Sequence, residues 1–241
     1  MAYHFLETED FLVSACFHTL LTRMENSYNA QFYTSAELEP IFVQVFGSRL
    51  HFCGFETIGP RKWIRETQCG FKYFFHLNPQ HNGYSYLPCG AISLDFVPRI
   101  VAGRLKIQPK PKNVAVHFSF EDKKSWDWMI DKNREGSREK IEKIAGESVT
   151  AITGWFQQFK SLDDVAAAFA RTKARSSATG FYCYPSMAMA YAFALARLGK
   201  TEAARSEFEQ AITSSYWGAD LHSELRTLFE SEIKGNNSQA S

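Results

Sequence analysis

The hydrophobic positions of the chain change period twice. Leu38, Ile41, Phe42, Val45, Phe46 and Arg49 follow a 3.6-residue repeat, and Thr34 with Glu37 has capping-box spacing, in which hydroxyl and carboxylate satisfy each other's free amides. A helix is predicted there, ending at Gly54 or in its exit turn. An earlier helix is predicted over Thr8–Glu25, with Leu12, Ala15, Cys16, Thr19 and Leu20 on one face, followed by a polar connection from Asn26 to Tyr33. From Gly54 to Phe120 the period becomes two, which predicts strands over Arg61–Thr67, Phe71–Leu77, Ala91–Val97 and Asn113–Phe120. Phe71, Tyr73 and Phe75 alternate with Lys72, Phe74 and His76. Val114, Val116, Phe118 and Phe120 alternate with Ala115, His117 and Ser119. One apolar and one mixed face per strand predicts an antiparallel sheet covered on one side. Asn82 and Gly83 signal a type I′ turn, yet Pro79 and Pro88 argue against a regular ladder, so a protruding loop is expected from Asn78 to Gly90.

After Trp126 and Trp128 the helical period returns. Ile141, Ile144, Val149, Ile152, Trp155, Phe156 and Phe159 line one face of a long helix, and Ser161 with Asp164 offers a second capping box. Arg171–Thr179 reads as a linker. The expected fold class is therefore α+β: N-terminal helices, an antiparallel sheet, a long helix packed on it and a helical C-terminal part. The expected division is an α+β domain over 1–172, a helical hairpin with a capping helix over 180–234 packed on the first domain, and a disordered tail over 235–241.

The chain has 241 residues, of which 45% are hydrophobic, enough for a sizeable core without staples, so no cofactor is expected. Lys and Arg number 27 against 26 Asp and Glu, so net charge gives no argument for a nucleic-acid or membrane partner. Local charge differs. No acidic residue occurs between Asp95 and Glu121, where Arg99, Arg104, Lys106, Lys110 and Lys112 form a basic, Pro-rich loop, whereas the last helices are acidic. Cys16, Cys53, Cys69, Cys89 and Cys183 are odd in number, contain no C-x-x-C pair and sit beside apolar residues, which predicts buried thiols in a reducing cytoplasm. Glu7, Glu9 and Asp10 do not make a secretion signal, and the longest apolar stretch, Met187–Ala196, is too short for a membrane span.

The most chemical constellation is His76, Asp95 and His117, which period-2 counting places on the less apolar face of neighbouring strands. Two imidazoles and a carboxylate are the groups of a divalent-metal or acid–base site, although no H-x-x-x-H or H-E-x-x-H spacing fixes them, so no metal is assigned. Arg61, Lys62 and Arg65 flank Trp63, an arrangement suited to phosphate contact and stacking. Phosphate-cradling glycine loops and a G-x-S-x-G elbow are absent from the sequence.

Ala192, Leu198, Gly199, Ala204, Phe208 and Ala211 resemble one tetratricopeptide helical hairpin, in which small residues let two antiparallel helices approach. Ala188, Thr201 and Tyr216 depart from that pattern, and no tandem array accompanies it. Gly54-Phe55, Trp63-Ile64-Arg65, Trp126 and Trp155-Phe156-Gln157-Gln158-Phe159 resemble a bacterial family of uncharacterised domains that pairs a helix ending in "GF" with an antiparallel sheet. That resemblance implies a bacterial cytoplasmic protein with toxin or immunity associations and supplies no catalytic residues. The resulting expectation is a non-catalytic protein-binding protein of immunity or scaffold type. Its partner is another protein, met through Arg99, Arg104, Lys106, Trp63 and Arg65 or through the acidic helices, with self-association left open and nucleic acid not expected. The alternative is a metal-assisted hydrolase using His76, Asp95 and His117.

Overall fold

The computed structural model describes residues 32–101, 104–106, 114–120, 127–133, 137–176, 180–183, 185–215 and 217–237. The helix expected over Thr8–Glu25, together with Cys16, Lys110, Lys112 and Trp126, lies outside them. Helix α1 (Ser35–Phe52) begins with the expected capping box: Glu37 N–H donates to Thr34 Oγ1 at 3.2 Å, and Thr34 N–H donates to Glu37 Oε2 at 2.7 Å. It ends at Gly54, whose φ of +80° reverses the chain.

The protein is α+β. Strands β1 (Glu56–Gly59), β2 (Lys62–Glu66), β3 (Phe71–Gln80) and β4 (Ser85–Leu94) form an antiparallel meander. β5 (Arg99–Val101) and β6 (Arg104–Lys106) make a separate hairpin. β7 (Phe118–Ser119) and β8 (Ile130–Asp131) pair with different stretches of β4.

No loop protrudes over Asn78–Gly90: β3 and β4 stay paired from Phe71 opposite Leu94 to Gln80 opposite Ser85, and a short 3-10 turn at His81–Gly83 joins them. Strand parity explains how the prolines fit. Leu77 N–H donates to Arg61 on the β2 side, so the nitrogen of Pro79 points the same way, past the start of β2. Gly90 C=O accepts from Phe120, so Pro88 faces the gap between the β7 and β8 pairings. Neither proline removes a β3–β4 hydrogen bond.

The strand expected over Asn113–Phe120 shrinks to Phe118–Ser119, where Phe118 faces the core and Ser119 the solvent as expected, but just before it the alternation breaks, with His117 buried and Val116 exposed. Leu94 N–H, next along the β4 edge, donates to His117 Nδ1 at 2.9 Å instead of to a backbone carbonyl. A side chain has taken the acceptor's place, and the ladder stops there.

Helix α2 (Ser137–Phe156) crosses the sheet, presenting Ile141, Ile144, Ile152 and Phe156 to a core that also holds Phe46, Trp63 and Phe75. Beyond it lie α3 (Leu162–Arg175), with the expected Ser161 and Asp164 capping box, then α4 (Pro185–Arg197), α5 (Thr201–Thr213) and α6 (Ala219–Asn237). Gly199, at φ +71°, turns α4 into α5, and Ala188, Ala192, Ala204 and Ala211 are buried. Three expected boundaries are corrected. α3 continues through Arg171–Arg175 and so through position 172, because Lys173 is held by Glu207 of α5 at 2.5 Å. α6 runs on to Asn237, past the expected start of the tail. One apolar core spans both parts, with Phe118 packed on Phe169 and Phe169 on Tyr191. Among the described residues no helix is long and apolar enough to cross a membrane.

Candidate functional site

His76, Asp95 and His117 do not come together. His76 lies opposite Cys89 and stacks on Phe74 with ring centroids 4.7 Å apart, and burial, aided by the Lys62 charge, lowers its pKa to about 4. Asp95 sits in the turn after β4, bound by Lys72 at 3.3 Å. Lys72 precedes His76 by four residues on the same strand, about 13 Å at the usual rise. Burial raises the Asp95 pKa, and Lys72 opposes that rise. His117 is turned towards Leu94. Among the described residues no three His, Cys, Asp or Glu side chains are grouped to hold a metal ion.

Two other predicted binding residues are structural. Trp63 has no exposed surface and packs between Phe46 and Phe75, so it cannot stack on a ligand. Arg65 donates to Cys53 C=O at 2.9 Å, and its guanidinium lies over the rings of Tyr73 and Phe55. Both were legible only as a basic–aromatic pattern, which a core tryptophan and its neighbour also produce. The acidic helices spend part of their charge internally: Glu207 pairs with Lys173, Glu209 with Arg226, Glu230 with Arg205 and Glu232 with Arg197, while Glu202, Asp220 and Glu224 are exposed. Cys53 and Cys89 are half-buried, and burial pushes the Cys89 thiol up to about 11, but Cys69 is exposed, contrary to expectation. It lies on the turn before β3, where its Sγ donates to Lys160 C=O at 3.3 Å.

The basic segment behaves differently. Arg99 pairs in register with Lys106, and Val101 with Arg104, while Ile100 and Leu105 pack against the core. Arg104 and Lys106 are exposed, and among the described residues Arg99, Arg104 and Lys106 have no carboxylate partner.

Arg99 also enters a cleft. Val97–Ile100, Val114–His117, Ser186, Met189 and Trp217 enclose about 530 Å³. A second cavity of about 430 Å³, which shares Val116 with the first, is lined by Ser119, Thr172, Arg175, Ser176, Ser186 and their neighbours. His117 and Ser186 belong to both. No acidic side chain is among the described residues of either lining. Nothing in the local sequence pattern marks Arg175 or Ser186 as site residues. Pro185 does mark a helix start, since proline suits the first helical position, but only the tertiary fold brings that start to His117.

His117 forms the common wall. It is 4% exposed, and burial together with the Arg99 charge lowers its pKa to about 3, so the ring is neutral at ordinary pH. A second groove, of about 460 Å³, runs between α1 and α2 beside Phe52, which is 94% exposed, and is lined by Ser48, Val149, Thr150 and Thr153. Comparison of the chain with family models, curated proteins and solved structures gave no match.

Proposed function

We propose that this is a non-catalytic protein-binding protein, of immunity or scaffold type in a bacterial cytoplasm, whose partner presents an acidic segment to the β5–β6 hairpin and the adjoining cleft. One observation carries the reading. Arg99, Arg104 and Lys106 lack carboxylate partners among the described residues, beside a cleft with no acidic side chain in its described walls. Elsewhere on the surface some cations, Arg61, Lys140, Arg205 and Arg226, are paired within the molecule, while others, such as Lys62, Lys143 and Arg171, are scattered and have no carboxylate partner among the described residues. The hairpin is where such cations sit side by side next to a cleft. Concentrated positive charge steers an acidic partner and fixes its register, with an effect that salt weakens. The hydrolase alternative finds no support in the geometry, because His76, Asp95 and His117 are dispersed.

Reversing charge at Arg99, Arg104 and Lys106 together tests the reading. Affinity capture with the wild-type protein is expected to retain a stoichiometric acidic partner that is released by moderate salt and lost in the triple variant, whose melting temperature stays unchanged. Capture of the same partner at wild-type yield by the triple variant would overturn it.

A further inference from the structure

Hydrogen-bond donors approach the His117 wall from several elements. On the sheet side, Leu94 N–H occupies Nδ1 of the imidazole, which places the proton of the neutral ring on Nε2. The side chain is 4% exposed and lines both cavities, while Nε2 has no hydrogen-bond partner among the described residues. On the helical side, Ser186 and Met187 are the second and third residues of α4, where N–H groups have no acceptor within the helix and the helix dipole favours negative charge. Arg99 flanks one cavity and Arg175 the other, and Ser119 adds a hydroxyl, whereas the Ser176 hydroxyl donates to Thr172 C=O at 2.9 Å.

We propose that this cleft is an oxyanion site for a phosphoryl group, held by the Nε2–H of His117 and the amide end of α4 at Ser186, with Arg99 and Arg175 supplying positive charge from its two sides. The proposal rests on the reading of this cleft as part of the binding face, and it names the chemistry recognised there. Donors on separate elements suit a tetrahedral oxyanion, whereas a planar carboxylate is matched by the parallel donors of a single arginine. A donor that stays neutral adds hydrogen-bond geometry without further buried charge. The phosphoryl group is either a free anion or is carried by a partner's side chain.

The test is an NMR titration of the whole protein at constant ionic strength, with inorganic phosphate in one arm and an acidic phosphoserine peptide and its unphosphorylated form in the others. Saturable shifts are expected at the amides of Ser186 and Met187 and at His117 Nε2. Affinity should fall about tenfold or more in His117→Asn, whose Oδ1 keeps an acceptor for Leu94 N–H while the Nε2 donor is lost, and in Arg175→Gln. Arg175 is exposed, so its variant carries the test if His117→Asn does not fold. Tighter binding of the phosphopeptide than of phosphate assigns the group to a partner; equal binding assigns it to a free anion. Shifts that do not saturate, or that survive both variants, overturn the site. Saturable phosphate binding alongside undiminished capture by the triple charge variant would leave this site standing and remove the protein-binding reading. Failed titration with charge-dependent capture would do the reverse.

Discussion

The two sides of β4 are built on opposite terms. Where α2 crosses it, a Cβ added at Gly90 would stand 2.4 Å from Ile152 Cγ2, so helix and strand approach as closely as glycine allows. Phe156 packs on Tyr73 and Phe55 around that crossing. At the edge that faces α3 and α4 the ladder ends early, a histidine replaces the next backbone acceptor, and cavities remain whose walls mix apolar side chains with polar groups, His117, Ser186, Arg99 and Arg175 among them. Close packing fixes the strand in place; incomplete packing leaves room and unpaired donors. The first side is scaffold, and the second is where recognition can occur.

The largest effect is expected on the packed side. Gly90→Ala should destabilise by about 2–3 kcal/mol, since neither the helix nor the sheet can yield without disturbing the core. Ile152→Ala removes the clashing methyl, so the double variant should lose less than the sum of the two single variants in denaturant titrations. Additive losses would mean that Gly90 is not a point of forced approach.

Acid should act through two histidines, His76 on the face of β3 turned away from α2 and His117 at the β4 edge. Both folded-state pKa values lie below the unfolded value of about 6.5, at about 4 for His76 and about 3 for His117. The unfolded chain therefore takes up protons first as pH falls. Stability from these groups is complete above about pH 6.5 and declines below it, by at most about 1.4 kcal/mol per pH unit for each histidine. The decline levels off at about 4 for His76 and about 3 for His117. His76 keeps some exposure and should contribute less. Unfolding followed from pH 7.5 to 5 should show this slope in the wild type and a shallower one in His117→Asn. Equal slopes would mean that the buried imidazole is not held neutral.

Much of the scaffold was readable because it rests on local chemistry. Thr34 with Glu37 and Ser161 with Asp164 mark helix starts that the structure contains, and the alternation of Phe71, Tyr73 and Phe75 marks the covered face of the sheet. Pro79 and Pro88 misled because their effect depends on which neighbour each nitrogen faces, a matter of register that the sequence does not state. Gly90, at the end of the loop those prolines suggest, is a point where α2 crosses too closely for a Cβ. At the site, the sequence makes His117 a candidate only for the alternative metal or acid–base reading, and in the structure it lines the cavities instead, because Leu94 is its partner only in the folded sheet. Arg175 looked like part of a linker, since nothing local reveals that α3 continues until Lys173 meets Glu207. Trp63 showed the converse: a residue that suggested a surface platform belongs to the core.

Hydrogen exchange of the protein with and without its captured partner tests the division between the two sides most directly. Protection should appear at 99–101, 104–106, 114–119 and 186–189, while α1 and α2 exchange as before. Protection confined to the groove between α1 and α2 beside Phe52, with the His117 cleft unchanged, would contradict the account.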